Sequence, residues 1–260
     1  MQAACLPPVP LHHLPMPEIL KNIALLIDAD DVRPAGIDPV LTVLAELGQV
    51  NIRRAYGNWA KGSLSKWDEH THRFGLQPVQ QFDMTRGKNA TDMAMTIDAI
   101  DLLYAGKVDG FGIMSSDSDF TPLASRLRQD GLTVYGFGDS KTPEAFKTAC
   151  TRFIEVDALL ANSASSGVIS DTAEPQISVA KAKKAAIGEE LIDLLGASWE
   201  ASKRDPQGFA RLSELGKIAN NRSSFDVRNY GFRGLADLIE TIDKFKVDRR
   251  TEGVYVKRLR

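Results

Sequence analysis

Apolar runs too short to be helices, each followed by an amphipathic stretch, restrict what residues 19–157 can fold into. The runs are Ile23–Ile27, Val50–Tyr56, Pro78–Phe82, Phe111–Met114, Thr133–Phe137 and Phe153–Val156. Between them lie Asp38–Leu47, Ser63–Phe74, Ala90–Tyr104, Phe120–Gln129 and Pro143–Ala149, which read as helices. Strands alternating with helices imply a parallel sheet, because a parallel neighbour is reached only by crossing over one face. The first run, IALLI, has no polar side, as expected of a central strand covered on both faces. The fold class is therefore α/β, a doubly wound parallel sheet.

After this domain the chain changes character. Ala158–Glu174 is made of small residues and Ser, with no aromatic, and a flexible linker is predicted over 158–178. A helix is predicted from about Val179 to Ala201, then helices at Leu212–Asn220 and Gly234–Ile242 and strands at Phe245–Arg249 and Gly253–Leu259. Three helices before a β-hairpin describe a second, small winged-helix-like domain over 179–260. Residues 1–18 are Pro-rich and hold no Lys or Arg, so they read as a disordered tail without the basic start of a secretory signal. No apolar run approaches the ~20 residues that span a bilayer. Two cysteines, Cys5 and Cys150, make no disulfide framework, and a reducing cytoplasmic location is the expectation. The net charge of -2 conceals an asymmetry: residues 1–180 carry 15 Lys/Arg against 22 Asp/Glu, and residues 181–260 carry 17 against 12. The basic end fits an anionic partner.

Three acidic sites fall where such a sheet builds its pocket, outside the carboxyl ends of its strands. Asp28-Ala29-Asp30-Asp31 follows IALLI directly, and Asp117-Ser118-Asp119 follows FGIM and Ser115-Ser116. Asp92 lies in the first turn of the helix that leads into FGIM. With strand order 3-2-1-4-5, the first two sites face each other across the crevice. Asp31, Asp92 and Asp119 each also suit a helix N-cap, but all three sites at one end of the sheet point to a shared task. Converging carboxylates repel unless a cation lies between them, and all-oxygen ligands select Mg²⁺ or Mn²⁺ over zinc. Asp28, Asp92, Asp117 and Asp119 are the candidate catalytic and metal-binding residues, with Asp31 a further candidate ligand.

The segments IALLIDADDV, GKNATDMAMTIDAIDL and GIMSSDSDFTPLASRLRQDGLTVYGFG, with RRAYGNW and a closing FIEVD, resemble in order the pattern of NYN domains, PIN-like nucleases of the LabA group. The resemblance covers Ile23 to Asp157. It implies a PIN-like fold and a metal-dependent ribonuclease, an endonuclease, with the same four aspartates as metal site. Where the family carries Asn after its first acidic group, this chain has Asp31. Asp98, further along the same helix as Asp92, reads as structural. Arg53, Arg54, Tyr56, Trp59, Lys61 and Lys88 are candidate RNA contacts, cations for phosphate and rings for unpaired bases, joined by Ser115 and Ser116. Trp67 reads as core. Asp28–Val32 also satisfies the DxDx(T/V) start of HAD-like phosphohydrolases, with Asp28 as nucleophile, although no separate lysine motif or cap insertion accompanies it. A non-catalytic RNA- or protein-binding adaptor is the other alternative.

The stretch from Asp205 to Arg260 resembles the OST-HTH/LOTUS domain, carried by Gly208-Phe209, Leu212–Gly216, Phe225-Asp226, Tyr230-Gly231-Phe232 and Leu235. The resemblance implies a module that binds RNA, single-stranded or structured, or a protein partner. Leu212, Leu215, Ile218, Leu235, Leu238, Ile239 and Ile242 form the stripes of a small core. Arg222, Arg228 and Arg233 are its candidate RNA-binding cations.

Overall fold

A computed structural model of the chain describes residues 20–82, 90–166 and 187–259. The tail at 1–18, Lys88 and the helix start near Val179 lie outside these residues. Strand β1 is Leu20–Asp28, followed by helix α1, Ile37–Leu47, and strand β2, Gly48–Gly57. Helix α2, Asp68–Phe74, and strand β3, Gln77–Gln80, come next, then α3, Ala90–Ala105, and β4, Gly110–Met114. Helix α4, Thr121–Gln129, β5, Thr133–Gly138, α5, Glu144–Ala149, and β6, Arg152–Glu155, complete the alternation. The six strands are all parallel in the order β3-β2-β1-β4-β5-β6. The expected order of the first five strands is the one observed.

IALLI is fully buried, and its alternate residues feed two cores. Ile23, Leu25 and Ile27 pack on one face with Ile37, Val40 and Leu44 of α1, while Ala24 and Leu26 pack on the other with Met95 of α3 and Leu127 of α4. This is the physical reason the run has no polar side.

The predicted linker begins later than its composition suggests. Val156–Ser166 is a helix, α6, which packs against α1 and buries Leu159. Its first residue fits so closely over Gly36 that a Cβ there would come within 2.6 Å of Val156 Cγ1. Small residues here serve helix and contact, and only 167–178 of the predicted linker falls outside the described residues.

The second domain has α7, Glu189–Ala201, α8, Leu212–Arg222, and α9, Leu235–Glu240. They pack on a small antiparallel sheet of β7, Ala210–Arg211, β8, Phe245–Arg250, and β9, Gly253–Arg258, in the order β7-β9-β8. Its core joins Leu191 and Leu195 to Leu215, Leu238, Ile239 and Val256. None of the described helices is long and apolar enough to cross a membrane.

The two domains are docked. The segment Ser224–Asn229 lies along β6, the edge strand of the large sheet: Phe153 N–H donates to Ser224 O at 3.0 Å, and Glu155 N–H donates to Asn229 Oδ1 at 2.9 Å. Asn229 Nδ2 donates in turn to Phe153 O at 2.9 Å. Around this seam Arg228 pairs with buried Asp226 at 3.1 Å and reaches Glu46 of α1, and Arg152 lies 3.9 Å from Asp226. Backbone groups of an edge strand that would otherwise template a foreign strand are thus satisfied within the chain.

A fragment ending at Asp157 loses α6 and so leaves the α1 face under Leu159 bare. Burial of one leucine is worth roughly 1.5–3 kcal/mol. The fragment should therefore melt about 5 °C below one ending at Ser166. Thermal melts of the two check this, and equal midpoints would show that α6 contributes nothing.

Candidate metal centre

The strand order reverses between β1 and β4, so the crevice opens where those two strands end. Asp28 is the last residue of β1 and is 4% exposed. The chain turns back at once, with Val32 N–H donating to Asp28 O at 3.0 Å. Ser115, fully buried, follows β4, and its hydroxyl lies 3.3 Å from Asp28 Oδ2 and from Asp31 Oδ2. Asp117 caps the short 3-10 turn Ser118–Phe120, accepting from Asp119 N–H at 2.9 Å. Asp92 enters from the other side on the first turn of α3. One carboxylate oxygen from each of Asp92, Asp117 and Asp119 lies within 4.8 Å of the other two.

Asp28 lies outside this trio, and Asp92 is the member whose charge acts on it. Burial, then the charges of Asp92 and Asp31, push the Asp28 carboxyl up to about 7, against a partial offset from the Ser115 hydroxyl. Burial and the repulsion of Asp117 and Asp119 push Asp92 up to about 6. Asp28 Oδ1 is buried with no hydrogen-bond partner among the described residues. A buried acceptor left unpaired is costly, the more so on a carboxyl repelled by Asp92 and Asp31. An orphaned oxygen and a donor set of oxygen alone fit a hard divalent cation.

Asp31 has a different job from Asp28. Its Oδ2 accepts from Ser116 N–H at 2.7 Å, so it ties the loop after β1 to the loop after β4. An asparagine oxygen accepts the same bond, which explains how Asp31 can stand where the family has Asn. Asp30, which sequence reasoning passed over, accepts from Thr91 Oγ1 at 3.0 Å and Asn58 N–H at 3.3 Å, with Lys61 Nζ 3.7 Å away. It therefore fixes the start of α3, and with it Asp92. Only its place within the DADD run signalled it, and nothing in that run separates its role from that of Asp28.

Several of the expected RNA contacts are engaged within the domain. Tyr56 is fully buried, and its hydroxyl donates to Asp98 at 2.7 Å, where Arg54 also donates at 2.9 Å. Asp98 is structural, as its helical offset from Asp92 implied. Arg53 donates to the Val50 and Phe74 carbonyls. Trp59 is half-buried, donating to Val79 O with its ring edge-on to buried Trp67 at 6.5 Å. Ser115 is enclosed, and Ser116 Oγ accepts from Asp139 N–H at 3.0 Å. The cations and rings on β2 belong to a polar seam of the core, because β2 is flanked by strands on both sides. Lys61 stands at the acidic rim, 3.7 Å from Asp30. The Gly136 and Gly138 pair is also packing: a Cβ there would meet Cys150 Sγ at 2.6 Å or Thr142 Oγ1 at 2.5 Å. In the small domain Arg228 is consumed by the seam, whereas Arg222 and Arg233 are exposed.

A doubly wound sheet with carboxylates converging at its switch point suits a metal-dependent hydrolase, and the family match makes the domain nuclease-type. Residues 22–160 match the family model of the NYN domain, and residues 183–257 that of the OST-HTH/LOTUS domain. The first match spans over half the chain, and the protein belongs to the NYN family, with an OST-HTH/LOTUS domain following. Among solved structures, a protein of unknown function from Vibrio parahaemolyticus is similar at 18% identity with a TM-score of 0.44, covering 54% of this chain and 95% of that one. No curated protein matches.

Both raised carboxyls lie above their unfolded values, so the stability they contribute is whole below about pH 4. It is lost as pH rises through 6 to 7, where the folded protein must give up protons it holds more tightly than the unfolded chain does. Melting of EDTA-treated protein should fall across that window, and Mn²⁺ should restore it at pH 8. Asp28→Asn should flatten the fall and hold or raise the metal-free midpoint. A variant melting well below wild type under those conditions would make Asp28 a structural cap instead.

Proposed function

We propose that this protein is a divalent-metal-dependent ribonuclease whose Asp28, Asp92, Asp117 and Asp119 hold Mg²⁺ or Mn²⁺. The observation that supports the reading is the trio of Asp92, Asp117 and Asp119, with the buried, unpaired Asp28 Oδ1 coupled to it through the charge of Asp92. When bound there, such a cation supplies Lewis acidity: it screens phosphate charge and makes water a better nucleophile near neutral pH. The chain's own contribution is placement. Asp31 locks the loops after β1 and β4, Asp30 sets the start of α3, and Ser115 seats the Asp28 carboxylate. Lys61 at the rim offers a positive charge to a backbone phosphate entering the crevice. RNA is the substrate class because the NYN domain is joined to an OST-HTH/LOTUS domain. We place the activity in the cytoplasm, consistent with a described cysteine, Cys150, that is buried and free.

Incubation of the full chain with end-labelled RNA and Mn²⁺ should release internal fragments carrying 5′-phosphate and 3′-hydroxyl ends. EDTA should abolish the activity, and Asp117→Asn should lower it at least about 100-fold, as loss of a transition-state interaction does. Products ending in 2′,3′-cyclic phosphate, or cutting that survives EDTA, would refute the metal mechanism. A metal-dependent melting shift without any cleavage would identify an RNA-binding adaptor.

A further inference from the structure

A groove in the small domain opens beside the seam, and one residue of the large domain, Arg152, lines it. It encloses about 920 Å³ between α8, the β8–β9 turn and the segment 225–228, and Arg152 of the large sheet closes one side. Its rim is basic: Arg152, Arg211, Lys217 and Arg233 line it. Arg211 is braced on Tyr255, with its Nε 3.3 Å from the phenol oxygen. Lys217 and Arg233 are exposed and form no ion pair among the described residues. Of the three acids in the lining, Asp226 is 3% exposed and paired with Arg228 and Arg152, Glu214 accepts from the Lys203 amide at 3.0 Å, and exposed Glu252 lies beside Arg211 and offsets part of its charge. The floor is apolar, with half-buried Phe225 and Leu235.

Cations along a rim and an aromatic floor match a single nucleic-acid strand, whose phosphates follow charge and whose bases leave water on apolar surface. The strand register fixes the distance to the acidic site. Arg152 is level with Tyr135, Gly112 and Leu25, three residues short of Asp28 and three strands away. At ~3.3 Å per residue and ~4.8 Å per strand, Arg152 lies roughly 17 Å from Asp28. A single strand in the groove can therefore also reach the crevice.

We propose that this groove is a second, composite binding site for single-stranded RNA, with Arg152 from the NYN domain and Lys217 and Arg233 from the OST-HTH/LOTUS domain as its phosphate contacts. The proposal rests on the reading of the protein as one that acts on RNA, but not on cleavage. Its test therefore uses the full chain in EDTA, where the acidic crevice repels a polyanion and nothing is cut. The probe is a fluorescein-labelled single strand of roughly 15 nucleotides of mixed sequence, followed by anisotropy. The combined Lys217→Ala and Arg233→Ala variant should bind about tenfold more weakly at ~0.15 M salt, and its salt slope should be shallower by about 1.4, for two phosphates at ~0.7 each. Arg152→Ala should also weaken binding several-fold, and Arg152→Lys, which keeps a cation beside Asp226, should recover it. A double variant with wild-type affinity and slope would overturn the proposal and leave the groove to a protein partner. Loss in the double variant with none in Arg152→Ala would overturn the composite site and confine binding to the small domain. Failure of the nuclease assay with this binding intact would refute the cleavage reading alone.

Discussion

Like charges gathered where two parallel strands end are the constraint to which the surrounding structure answers. Strands β1 and β4 are hydrogen-bonded neighbours, so Asp28 and the Ser115–Asp119 loop are brought together by the sheet itself. Repulsion there cannot be relieved by drifting apart without breaking the ladder. It is expressed instead in the raised carboxyls of Asp28 and Asp92 and in the unpaired Asp28 Oδ1. Unfavourable electrostatics persist only where the scaffold over-determines the geometry. Here the scaffold is named: fully buried IALLI below, and the Asp31 and Asp30 tethers at either side.

Those tethers show how one acidic run divides its labour. Asp28, Asp30 and Asp31 are nearly adjacent in the chain, yet the first is buried against Ser115, the second anchors α3 and Asn58, and the third accepts a backbone amide after β4. The division follows from the sharp turn after β1, which sends successive side chains to different elements. Tyr56, Arg54 and Asp98 form a second polar network, in which the Tyr56 hydroxyl and Arg54 Nη1 both donate to Asp98 while Arg54 Nε stays unpaired among the described residues.

What could be read from the sequence follows from these causes. The six strands were legible because apolar runs of strand length alternate with helical spacing, and both-face burial of IALLI marked the centre of the sheet. Asp28, Asp92 and Asp117 were legible as candidates because strand ends are where such a sheet opens. Partners were not legible. Nothing in RRAYGNW distinguishes an arginine that meets RNA from one that meets Asp98, since that depends on which helix crosses β2. Composition misread Ala158–Ser166 for a similar reason: small residues suit a flexible linker, and they equally suit a helix lying close on α1.

The seam was the least visible feature, because its partners are separated by dozens of residues and most are polar. Ser224 contributes only its carbonyl, and Asn229 a side chain with one donor and one acceptor, the complement of an unpaired strand edge. An open parallel sheet must end somewhere, and β6 is short, consistent with an edge that has to be kept from pairing with foreign chains. Covering it with the small domain satisfies the edge and at the same time fixes the basic surface relative to the acidic crevice. The same contacts that close the sheet thus couple the two charges of the molecule. On the proposed reading, an acidic half that admits a polyanion gains a positively charged neighbour held at a set distance, where a free tether would leave the two halves to meet by chance.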